Sequence, residues 1–168
     1  TLLILPGQWA ELTDSSGMSD AREAEPYLLY IGLDHDRAAR QESQRLASRL
    51  GLVFHEIYGP EPVSRKDFRR NPASFLLPTV EEWISSIMDA SMVVTDSFHV
   101  SAFSIMFEVP FLVMKNSVRG NSRLDSLLQT FDLLDQLKTS EMIHDIKSVP
   151  TIHWSGVRER LGRNREKS

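Results

Sequence analysis

The sequence predicts an α/β protein built on a parallel, doubly wound sheet. Short, continuous apolar runs recur at 27–33 (YLLYIGL), 92–95 (MVVT) and 111–114 (FLVM), the pattern of strands covered on both faces. Between them lie longer stretches whose apolar residues return at helical spacing. Strands that alternate with helices in this way call for parallel crossover connections, with helices on either side of the sheet.

Residues 1–26 hold a short apolar segment and then TDSSGMSDAREAEP, which predicts a leading segment or linker; residues 27–168 are expected to form the domain. The first strand, YLLYIGL, runs into the polar loop Asp34-His35-Asp36. Ala39, Ser43, Leu46, Ala47 and Leu50 then share one helical face, and Gly51 is placed to stop that helix. LVFHEI at 52–57 predicts a second strand, followed by a charged, proline-rich loop, GPEPVSRKDFRRNP. Thr79-x-x-Glu82 reads as a capping box, opening a helix with a wide apolar stripe of Val80, Trp83, Ile84, Ile87 and Met88, in which Trp83 is assigned to the core. After MVVT the next helix is expected from near Ser97 and must finish before Pro110. FLVM is the fourth strand. A helix over 122–134 turns Leu124, Leu127, Leu128 and Phe131 inward, and a last helix starts near Trp154. The weakly patterned stretch 135–152 predicts one short edge strand around Met142-Ile143.

Composition narrows the class. Hydrophobic residues at 41% and charged residues at 25% describe a globular chain rather than a disordered one. A net charge of −4 gives no general attraction to nucleic acid or to an anionic membrane, so an anionic ligand would depend on local cations. The basic cluster RERLGRNREK fits the exposed side of the final helix. Without cysteine there are no disulfides and no thiolate metal centres, which fits a reducing cytoplasm. The longest oily tract, FSIMFEVPFLVM, is broken by Glu108 and Pro110, well short of the ~20 apolar residues of a membrane helix. No span is expected. The start TLLIL has neither an initiator methionine nor the layout of a leader, and is expected to lie within a longer protein.

The stretch MVVTDSFHVSAF, 92–103, sets Asp96, Ser97, Phe98 and His99 at the carboxyl end of the third strand and the start of a helix. Ligands of open α/β sheets gather beyond that end of the strands, and a helix start offers free N–H groups and a positive dipole end to an anion. The same edge should carry Asp34 from the first strand and the loop 115–119 after the fourth, with Arg119 and Arg123 as the nearest cations. Each residue also has a structural reading. Asp96 or Ser97 serves equally well as the helix cap, and His99 as a histidine hydrogen-bonded within the fold. Asp34-His35-Asp36 suits a solvated loop better than a metal site. Arg119 and Arg123 also read as surface charges. His55, His144 and His153 are scattered. The glycine signatures of dinucleotide and nucleoside triphosphate sites, and the G-x-S-x-G of many hydrolases, are absent.

Taken together, TDSFH followed by AFS, after EEWISSIMDASMVV and before a Pro-Phe strand, resembles the polysaccharide pyruvyl transferase family. TLLIL with GQW, PYLLYIGL, RGNSRLDSLLQTFDL and IHWSGVRERLGRNREKS extend the resemblance in order along nearly the whole chain. It implies a two-domain, glycosyltransferase-B-like architecture, with this chain as its Rossmann-like carboxyl-terminal domain and the amino-terminal domain as its missing partner. It further implies transfer of the pyruvyl group of phosphoenolpyruvate to two hydroxyls of a polysaccharide or cell-surface glycan, with no cofactor and no metal. The motif histidine falls on His99, as the catalytic acid or a phosphate ligand; Asp96, Ser97, Phe98, Arg119, Arg123 and Asp34 are the implied substrate-binding set. One departure matters. Some members carry Arg-Leu-His where this chain has Ser97-Phe98-His99, which leaves open whether donor or acceptor lies over this helix. A nucleotide-sugar domain of a glycosyltransferase and a non-catalytic anion-binding domain are the alternatives.

Overall fold

A computed structural model describes residues 25–34, 36–57, 78–115, 122–146 and 148–166. Strands β1 (Tyr27–Ile31), β2 (Val53–Ile57), β3 (Met92–Thr95), β4 (Phe111–Met114) and β5 (Leu137–Lys138) form one sheet in the order β2-β1-β3-β4-β5. Every pairing is parallel. The helices are α1 (Arg37–Leu50), α2 (Val80–Met88), α3 (Phe98–Phe107), α4 (Ser122–Phe131), α5 (Ser140–Asp145) and α6 (Trp154–Glu166).

Period-two alternation divides the strand side chains between two cores. Leu29, Ile31, Val93, Phe111 and Val113 face one side, where α2, α3, α4 and α6 cover them. Leu28, Tyr30, Met92, Val94, Leu112 and Met114 face the other, under α1 and α5. The α/β, doubly wound, Rossmann-like architecture is therefore present. Because the central strands are buried on both faces, they are apolar almost throughout, Thr95 excepted, and that made them legible.

Local signals place the helix ends. Asp36 caps α1 by accepting from the amides of Ala38 and Ala39. Gly51 ends it at φ 69°, with its own N–H on Ser48 O and that of Leu52 on Ala47 O. The capping box of α2 is complete: Thr79 Oγ1 accepts from Glu82 N, and Glu82 Oε2 accepts from Thr79 N at 2.8 Å. Helix α3 stops at Glu108, two residues before Pro110, and the Glu108 carboxylate pairs with Arg158 of α6.

Two expectations are corrected. Met142-Ile143 is not an edge strand but part of α5, because the Thr139 hydroxyl accepts from Met142 N and starts a helical turn. The edge strand lies earlier, at β5, where Lys115 N donates to Lys138 O at 2.8 Å. Helix α4 ends at Phe131 rather than 134, since Asp132 turns to φ 60° and Leu133 N closes back on Leu128 O. Residues 1–24 of the expected leading segment 1–26, the loop 59–72, His35 and Arg119 lie outside the described residues.

Candidate functional site

Strand order reverses between β1 and β3, since the chain runs outward to β2 on one side and to β4 and β5 on the other. Such a switch point opens a crevice beyond the strand tips. A cleft of about 440 Å³ occurs there, lined by Ile31 and Leu33 from the end of β1, by Thr79, Val80, Trp83 and Ile84 from α2, and by Ser97, His99, Val100 and Phe103 from α3.

Hydrogen bonds across the switch point fix its floor. The buried Thr95 hydroxyl donates to Ile31 O at 2.7 Å and accepts from Ser97 N at 3.0 Å. Asp96 lays both carboxylate oxygens against the turn leaving β1, accepting from Leu33 N at 2.8 Å and Asp34 N at 3.0 Å. The helix cap of α3 is Ser97, whose Oγ faces Val100 N at 3.5 Å. Beneath the turn, a Cβ on Gly32 would collide with the Tyr30 hydroxyl. Burial first, and then the carboxylates of Asp96, Asp36 and Glu56, hold the Tyr30 phenol above its ordinary range, so it stays neutral. Glu56 is itself held by Arg40, whose single Nε–H is shared between the two carboxylate oxygens, with Nε 2.7 and 2.8 Å from them.

His99 is exposed and stands on the rim of the cleft, edge-on to the half-buried Phe98 ring at 5.6 Å. Its ring makes no hydrogen bond to a described residue. No acidic side chain occupies the first turn of α3, whereas α2 begins with Glu81 and Glu82. The dipole at the start of α3 is thus the less neutralised of the two. Arg123 is exposed in the first turn of α4, which packs against α3, and Lys115 is exposed at the tip of β4.

The structure thus brings Asp34, Asp96, Ser97, Phe98 and His99 to one strand edge, with Arg123 in the first turn of the neighbouring α4. Trp83, assigned to the core from sequence, packs against it while half-buried. It meets Phe103 edge-on at 5.4 Å and walls the cleft. Val80 is 64% exposed and Leu33 38%. These wall residues were missed as site residues. The available signal was an apolar stripe on α2 that continues to its first turn, beyond what Ile84 and Ile87 need for the core. Among the described residues no three histidine, aspartate or glutamate side chains converge as a metal site.

The sequence model of a family described as polysaccharide pyruvyl transferase matches residues 1–118. The chain belongs to this family. The matched stretch includes β1 to β4 and the whole Asp96 to His99 cluster, while Arg119 and Arg123 follow it. No curated protein and no solved structure matches the chain significantly. Membership places the chain in an enzyme family, and among the described residues no helix is long and apolar enough to cross a membrane.

Proposed function

We propose that the chain is the carboxyl-terminal domain of a transferase that moves the pyruvyl group of phosphoenolpyruvate onto two hydroxyls of a polysaccharide or cell-surface glycan. The observation that carries this reading is His99. It is an exposed imidazole on the rim of a switch-point cleft, at the start of a helix, within the stretch matched to the pyruvyl transferase family.

The reaction needs a proton at C3 of the enol, which makes C2 electrophilic, and an imidazole is suited to give it. One sugar hydroxyl then bonds to C2 and its proton returns to the imidazole. The second hydroxyl displaces phosphate from C2, its proton leaving with the phosphate, and the products are a cyclic ketal and inorganic phosphate. The amides at the start of α3 and the cations Arg119 and Arg123 are the groups assigned to the anionic donor. Asp96 and Asp34 serve the site through the β1 exit turn, and Ser97 and Phe98 by setting the helix start under His99.

A domain of this kind would meet an amino-terminal partner domain across the strand tips, so the chain alone is expected to be inactive. Thermal unfolding of the full-length protein tests the donor class. Phosphoenolpyruvate at 100 times its dissociation constant should add about 2.7 kcal/mol of stability, with phosphate and pyruvylated glycan formed on turnover. Stabilisation by nucleotide sugars and none by phosphoenolpyruvate would transfer the chain to the glycosyltransferase reading.

A further inference from the structure

The exposed His99 ring stands edge-on to Phe98 and makes no hydrogen bond to a described residue. No side chain among them orients it as a carboxylate orients the histidine of a hydrolase triad, so its place follows from the backbone that carries it. We infer that the Thr95 hydroxyl is the positioning group of this site: it fixes the turn from which α3 starts, and through that turn the place of the His99 imidazole. The inference rests on the transferase reading for the reaction it serves. To that reading it adds a residue too deeply buried to touch a substrate.

Three observations carry it. Thr95 is fully buried and ends a strand whose other residues, Met92, Val93 and Val94, are apolar. Valine would suit such a position in shape, strand preference and burial, so the hydroxyl has to be explained by its bonds. It donates to Ile31 O, on the last residue of β1, at 2.7 Å and accepts from Ser97 N at 3.0 Å. One side chain therefore joins the tips of two neighbouring strands to the residue that caps α3. Ser97 is in turn engaged at every polar atom. Its Oγ faces Val100 N, and its carbonyl accepts from the Ser101 amide at 3.0 Å and the Ser101 hydroxyl at 2.9 Å. The chain is thus pinned at a buried point two residues before His99, which lies in the first turn of α3. Asp96, between Thr95 and Ser97, has a different task, since its oxygens go to Leu33 N and Asp34 N and hold the β1 exit. Without the Thr95 hydroxyl, Ile31 O and Ser97 N lose this partner in a buried place, and the first turn of α3 has to shift to recover one. Misplacing a reacting group by about 1 Å can lower a rate roughly 10²-fold.

The experiment uses full-length protein with Thr95→Val, which keeps the shape and removes both bonds, and Thr95→Ser, which keeps the bonds. The first readout is kcat and KM for phosphate release from phosphoenolpyruvate with the glycan acceptor, corrected for the folded fraction by thermal unfolding. The second is the His99 ring signal in NMR spectra of histidine-labelled protein, assigned by its loss in His99→Ala. Thr95→Val is expected to lower kcat roughly tenfold or more, with KM within about twofold of wild type, and to move the ring signal. Thr95→Ser should keep kcat within about twofold and leave the signal in place, even where the missing methyl lowers stability. A role in stability alone moves neither readout in the folded fraction. Thr95→Val at the wild-type kcat, or with the ring signal unmoved, overturns the inference, and so does Thr95→Ser as slow as Thr95→Val. If Thr95→Val does not fold, Thr95→Cys, a weaker donor and acceptor, takes its place under the same criteria. A wild type that releases no phosphate from phosphoenolpyruvate defeats the transferase reading instead. The ring signal then decides the positioning role by itself: moved by valine and not by serine if it holds, unmoved by valine if it fails.

Discussion

Asp96 shows what a single residue does at the strand tips. Its two oxygens hold the amides of Leu33 and Asp34, and so tie the wall of the cleft to the strand that leads into His99. Asp96→Ala leaves both amides without that acceptor and should cost about 1–3 kcal/mol in urea unfolding; a variant as stable as wild type would show the turn needs no clamp. Tyr27 offers a test by pH. Its hydroxyl donates to Ser86 O at 2.8 Å, and burial, then the Asp89 carboxylate, push the phenol up to about 12. An unfolded tyrosine loses its proton near 10. Between these values the folded state holds the proton and the unfolded state does not, so the stability involved is complete below about pH 10 and is lost as pH rises through the folded value. Tyr27→Phe should flatten the alkaline fall in stability. An unchanged slope would locate that titration elsewhere. At this scale the sequence displayed the polar cluster but not its division of labour: Ser97 and Asp96 were equal candidates for the cap, and only the long-range pairing to β1 separates them.

Among the elements, α2 was the most legible, because Thr79 and Glu82 write its start into four residues. Thr79→Ala is expected to cost about 1 kcal/mol in thermal unfolding, whereas a neutral result would leave the box without weight. Helix α5 was the least legible. It has six residues and buries only Ile143, too little for a periodic signal. What holds it is distant in sequence: the Arg49 guanidinium on α1 donates to the carbonyls of Ile143, His144 and Ile146. Arg49→Ala should raise amide hydrogen exchange across 140–146 and leave that of β1 and β3 unchanged. Equal protection in both proteins would mean that packing of Ile143 and the Glu42–His144 contact are sufficient.

On the scale of the molecule, the alternation of strands and helices declared the sheet, but the crevice depends on strand order. A chain laid out in simple succession would have put Asp96 and Leu33 far apart; the order β2-β1-β3-β4-β5 makes them neighbours. In this crevice Val80 and Trp83 of α2 form part of the cleft wall, Trp83 while also packing against the core. The central claim is that the His99 imidazole, standing over this crevice, moves the proton of pyruvyl transfer. Its most direct test is the rate of phosphate release from phosphoenolpyruvate by full-length protein with its glycan acceptor, wild type beside His99→Ala. The account predicts a fall of roughly 10²–10⁴-fold with the fold intact by thermal unfolding; a variant that keeps the wild-type rate would contradict it.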